Sequence, residues 1–148
     1  MGVEVIDETG RYLRVPDIAR ALDVLLAELG EVGDEATVVI VDDPAIARLN
    51  ERDRGVAGPT DVLSYPLHEP TDVGHPRTPH LGDVLVSIDT AAVQAQSAGH
   101  TLDAEVVTLA AHGLMHLLGH DHQTEADWGP FRAAQARAVD ILGPRAEV

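Results

Sequence analysis

The sequence contains no cysteine. Disulfides, thiolate zinc sites and cysteine nucleophiles are therefore excluded. It also contains no lysine: all 10 basic residues are arginine, set against 25 aspartates and glutamates for a net charge of −15. Taken whole, so acidic a chain repels phosphates and argues against a nucleic-acid partner. No apolar run approaches the roughly 18 residues that span a bilayer. The first 30 residues lack the basic start and apolar run of a secretory signal. These absences lead to the expectation of a soluble, cytoplasmic protein with no membrane association. What is present is enough for a core. At 148 residues, 45% of them hydrophobic, the chain is expected to form a single domain over residues 1–148.

The charge is unevenly placed. Residues 1–47 carry a net −8, residues 48–66 a net of 0, residues 67–100 a net −3 and residues 101–148 a net −4. The neutral segment holds Arg48, Arg52 and Arg54. A solvated helix face is the plain reading of such a cluster. Arg48 and Arg52 lie one turn apart and share a face.

Strands and helices are mixed along the chain. Val3–Asp7 alternates weakly and is expected as a first strand. Pro16 and Asp17 open a helix with Ile18, Leu22, Leu25, Leu26 and Leu29 at helical spacing, and Gly30 stops it. Ala36–Val41 reads as a buried strand. Asp43 is expected to cap a second helix, begun by Pro44 and running to Arg52 or Asp53. Val62–Tyr65 lies between Pro59 and Pro66 and reads as an edge strand, since proline cannot donate to a ladder. Residues 67–80 hold several prolines and no periodicity and read as a loop, with His68, His75 and His80 on its surface. Leu81–Ile88 is strand-like, and Asp89–Ala98 is a helix ending at Gly99. Thr101 caps a long helix with Asp103 and Glu105 in its first turn. Thr124 and Asp127 form a capping box, and Gly129-Pro130 is expected to offset the last helix to Ala133–Leu142. The fold class implied is α+β, with about four strands in a small mixed sheet packed by about five helices.

The chemistry concentrates in HGLMHLLGHDH, residues 112–122, which holds four of the eight histidines. His112 and His116 are four apart, so in a helix their rings project about 40° from one another and can share a metal. Val106, Val107, Ala110, Leu114, Leu117 and Leu118 fall on the opposite side, which is expected to be the core stripe. Core histidines would sit on that stripe, and these do not. Gly119 lets the chain leave the helix in a left-handed turn, and His122 can then swing back as a third ligand. Three imidazoles with an open position form a catalytic zinc set. Asp121 is a natural acceptor for an imidazole N–H, although a plain turn residue reads equally well. His120 sits in the turn, as a residue behind the ligands or on the surface.

The spacing H-x-x-x-H-x-x-G-x-x-H is that of the metzincin proteases, which carry a Glu general base just after the first His. Here that position is Gly113. Ordinary proteolysis loses its proton acceptor. Glycine there also costs the helix about 1 kcal/mol against alanine, which suggests that something approaches the helix closely.

HGLMHLLGHDH, with LNERDRGVAGPTDVLSYP at 49–66 and LGDVLVSID at 81–89, resembles the YbeY family of bacterial zinc-dependent, single-strand endoribonucleases. The three blocks stand in the family's order. The resemblance implies one zinc ion on His112, His116 and His122, and catalytic roles for Arg54 and His116. His120 departs from it, standing where the family often has Tyr. The resemblance further implies single-stranded RNA as substrate, action in maturing the 3′ end of small-subunit ribosomal RNA and in ribosome quality control, and ribosomal small subunits and assembly factors as partners.

The expected chemistry is metal-assisted phosphodiester hydrolysis. Arg54 would hold a phosphate through its planar fork. Arg48, Arg52, Ser64 and Thr60 are further candidate substrate contacts, although the hydroxyls read first as strand or turn groups bonded to their own backbone. A metallopeptidase with an unusual base and a non-catalytic assembly factor with a zinc site are the competing classes. Acid is concentrated away from the motif blocks, so the charge predicts weak, salt-dependent binding of free RNA and not its exclusion.

Overall fold

The computed structural model describes residues 2–12, 14–31, 33–67 and 79–144. The described elements run β1 (Val3–Asp7), α1 (Val15–Glu28), β2 (Glu35–Val41), α2 (Asp43–Arg54), β3 (Val62–Pro66), β4 (His80–Ser87), α3 (Ile88–Ala98), α4 (Leu102–Leu117) and α5 (Trp128–Leu142). The architecture is the expected α+β class. His80 belongs to the first position of β4 and not to a loop; His68 and His75 lie outside the described residues.

The sheet order is β1-β2-β4-β3. β1 and β4 flank β2 in parallel, and β3 joins β4 antiparallel at the edge. Strands alternate their side chains between faces. Val38, Ile40, Val84 and Val86 are fully buried on the face covered by α1 and α4, with α5 packed on those two helices. Val39, Val41, Leu63 and Leu85 belong to a smaller cluster with Ile46 of α2 on the other face.

Two expectations are corrected. Asp42, not Asp43, caps α2, accepting from the Ala45 N–H at 2.9 Å. Asp43 is engaged elsewhere: its carboxylate accepts from Ser87 Oγ at 2.5 Å and Thr90 Oγ1 at 2.7 Å, tying α2 to the start of α3. The second correction concerns α5, which runs unbroken from Trp128 through Gly129-Pro130. A helix's first N–H groups have no intrahelical acceptor, so proline in the first turn forfeits nothing. The Thr124–Asp127 box forms in the turn just before it, Asp127 N–H to Thr124 Oγ1 at 3.3 Å and Thr124 N–H to the Asp127 carboxylate at 3.0 Å.

α4 packs on β3 and β4 and against α1, α3 and α5. Its burial is wider than one stripe: Leu109, Ala111, Gly113 and Met115 are buried along with Val106, Val107, Ala110 and Leu114. The histidine side of α4 therefore faces α5 and the rim of β3, not open solvent. Among the described residues no helix is long and apolar enough to cross a membrane.

Candidate metal centre

His112 and His116 occupy successive turns of α4, and their Nε2 atoms approach to 3.2 Å. Gly119 ends the helix at φ +93°, returning His122 to the same point. The ligand atoms of the three rings all lie within 4.8 Å of one another. For bonds of about 2.0–2.1 Å to a tetrahedral metal, two ligand nitrogens sit about 3.4 Å apart, so the pair on α4 is already near ligating distance.

The other ring nitrogens are occupied. His116 Nδ1 donates to the His120 carbonyl at 3.1 Å. His112 Nδ1 meets the side-chain amide of Gln135, from α5, at 3.2 Å. The two Nε2 atoms face each other across their 3.2 Å gap, an arrangement that suits a shared cation. Burial, with the charges of His116 and His122 adding to it, pulls the His112 pKa down to about 4. Burial and His122 lower that of His116 too. These two imidazoles are neutral at pH 7, the form a metal requires.

Two aromatic side chains wall the site. Phe131 is fully buried, with its ring centre 4.8 Å from that of His112 and 5.0 Å from those of His116 and His122. Trp128 stacks on His122 at 4.1 Å and 15°.

Gly113 has a packing reason. A Cβ there would lie 2.4 Å and 2.9 Å from the two methyls of Val84 and 3.1 Å from Ser64 Oγ. The close approach expected from the sequence is thus the sheet itself. Ser64 Oγ donates to the Gly113 carbonyl at 3.2 Å, which fastens edge strand β3 beside the histidines.

A cleft of about 500 Å³ opens over the centre, lined by Arg54, Thr60, Asp61, Val62, Leu63, Ser64, Pro66, His112, His116, Asp121 and His122. Arg54 reaches it from the last position of α2, where Gly55 turns the chain at φ +69°. Arg48 and Arg52 do not reach it. They line a second cleft with Glu8, Val39, Val41, Ala45, Leu49 and Leu85, on the other face of the sheet. At about 100° per residue, Arg54 points some 200° away from Arg52. Arg52 is in any case held by Asp53, Nε to Oδ1 at 2.7 Å and Nη2 to Oδ2 at 2.9 Å. Arg52 and the Tyr65 hydroxyl hold the Asp53 carboxyl down at about 2.

The expected partners behind the ligands are also rearranged. Asp121 lines the cleft, but its oxygens accept from the His122 N–H and the Gln123 amide, not from an imidazole. His120 supports His116 through its backbone carbonyl. Gln135, Trp128, Phe131 and Asp61 were not anticipated. Asp61 lines the cleft, accepts from Gln94 Nε2 at 3.3 Å, and acts electrostatically on His112.

An open mixed sheet carrying a two-histidine helix, a glycine turn and a third histidine defines an α+β fold whose three histidines could hold a metal ion. The family model described as Endoribonuclease YbeY matches residues 15–143. The Endoribonuclease YbeY of Thermus thermophilus is 51% identical over 128 residues, 86% of this chain and 90% of that protein. That of Deinococcus radiodurans is 43% identical over 134 residues, 83% of this chain and 85% of that protein. The solution structure of a Thermotoga maritima protein superposes with a TM-score of 0.67 at 25% identity, covering 95% of this chain and 88% of that one. The chain belongs to the YbeY endoribonuclease family.

Proposed function

We propose that the protein is a zinc-dependent endoribonuclease that cleaves single-stranded RNA at the three-histidine centre. The observation that carries this reading is the cleft: Arg54, the chain's cation at this site, lines the same cavity as His112, His116 and His122. When bound, zinc supplies a Lewis acid and lowers the pKa of water toward about 7. The chain's own residues do the rest. His112, His116 and His122 present ring nitrogens to one point. Arg54 binds a phosphate oxygen pair through its planar guanidinium, which neither lysine nor a single N–H reproduces. Ser64 keeps β3 in place as one wall. His116 is assigned a catalytic role as a ligand, and Asp121 and His120 supporting roles through the turn that presents His122.

A peptidase is disfavoured on packing grounds as well as chemical ones. The general base of that class would stand at position 113, where even a Cβ meets Val84 at 2.4 Å. In keeping with the family, the substrate assigned is small-subunit ribosomal RNA at its 3′ end, with ribosomal particles and assembly factors as partners in the cytoplasm, and the chain acting as one domain. Incubation of single-stranded RNA with the zinc-loaded protein tests the assignment. Cleavage that disappears in His116→Ala, with a peptide substrate untouched, is the expected result; peptide hydrolysis without RNA cleavage overturns it.

A further inference from the structure

We infer that Trp128 is a positioning residue for His122, and that its stacking sets the affinity of the centre for its metal. The inference rests on the reading that the three histidines bind a metal. It begins from an asymmetry among them. His112 and His116 are fixed twice, by α4 and by a partner on Nδ1: Gln135 for the one, the His120 carbonyl for the other. His122 stands beyond Gly119, outside α4 and α5. Its backbone N–H donates to the Asp121 carboxylate at 2.8 Å, and among the described residues its ring makes no hydrogen bond. What orients that ring is contact with aromatic faces, edge-on to Phe131 at 71° and nearly parallel to Trp128 at 15° and 4.1 Å.

Trp128 is suited to this. It is the first residue of α5, so its backbone is fixed by the helix that also carries Phe131 and Gln135. Its side chain packs on the main hydrophobic cluster. Aromatic residues are only 3% of the chain, and its single tryptophan and single phenylalanine both stand at this site. A ring held in place before the metal arrives loses less freedom on binding than one that must be ordered then. Residues behind a ligand typically change metal affinity by about 10- to 100-fold when removed. A flat apolar face can fill that role where no hydrogen-bond partner does.

The test is zinc affinity, measured on the metal-stripped full chain by competition with a chromophoric chelator. Trp128→Ala and Trp128→Leu remove the stacking face, the leucine keeping an apolar side chain in the core; Trp128→Phe restores a face. Zinc binding weakened about 10-fold or more in the alanine and leucine variants, with the phenylalanine variant close to wild type, is expected. Because Trp128 is the only tryptophan, its fluorescence in the wild type should also change on zinc addition and saturate at one equivalent. Should Trp128→Ala unfold, the leucine variant decides. Leucine or alanine variants that bind zinc as tightly as wild type overturn the inference alone. A wild type that binds no zinc overturns the three-histidine reading and this inference with it.

Discussion

Gly113 shows how much a single position can carry. The sequence marks it as costly in a helix, and the structure supplies the compensation: α4 approaches β4 until no Cβ fits against Val84. Gly113→Ala would gain about 1 kcal/mol of helix propensity and lose about 1–3 kcal/mol to overpacking. Net destabilisation is expected, read as a lower urea midpoint at unchanged slope. The histidines at this scale also fix a pH dependence. His112 titrates near 6.5 when unfolded and is held down to about 4 by burial and its neighbours in the fold. Protons therefore bind the unfolded chain more readily, and the stability of the metal-free protein is full above about pH 6.5 and lost as pH falls toward about 4. Urea unfolding of the metal-free protein across that window should show the decline; a flat profile would remove His112 from the account. The convergence of the three histidines was legible because i, i+4 spacing and a glycine turn are properties of one short segment. Gln135 was not, because nothing local to α5 reveals which side chain of α4 it faces.

Elements were legible where their signals are local, and less so where another element competes. The β-branched run of β2 and the proline-flanked β3 were readable on their own. Asp43 lost the capping role to Asp42 because Ser87 and Thr90, far along the chain, claim its carboxylate. On α2, Arg48 and Arg52 share a face as expected and line one cleft, while Arg54 lines the other. Helical geometry separates Arg54 from Arg48 and Arg52, so the charge cluster at 48–54 is two faces and not one. Arg54→Ala is expected to reduce RNA cleavage strongly with zinc content unchanged, while Arg48→Ala leaves cleavage near wild type; parallel assays with metal analysis check both. Asn50 anchors the loop that follows. It is 2% exposed and donates to the Gly58 carbonyl at 2.9 Å. Asn50→Ala leaves that carbonyl without its partner and should cost about 1–3 kcal/mol, measurable by chemical denaturation.

At the scale of the whole molecule, a net charge of −15 must be reconciled with a polyanionic substrate. Sheet and helices do this in part by separation: the acid-rich first third builds β1, α1 and β2, while the cleft draws Arg54 from the neutral segment and sets it beside Asp61 and Asp121. With Arg54 the one arginine at the cleft among the described residues, affinity for free RNA should be low and should fall further as salt rises; tight, salt-insensitive binding of an uncleavable strand would be inconsistent with this charge distribution. The central claim is that metal and Arg54 act together on RNA in this cleft. It is tested most directly by one measurement: the rate of single-strand RNA cleavage by metal-stripped protein before and after adding one equivalent of zinc, in wild type, His116→Ala and Arg54→Ala. The account predicts that zinc restores cleavage in the wild type, not in His116→Ala, and only weakly in a zinc-loaded Arg54→Ala. Cleavage that persists in stripped His116→Ala, or that zinc leaves unchanged in the wild type, would contradict it.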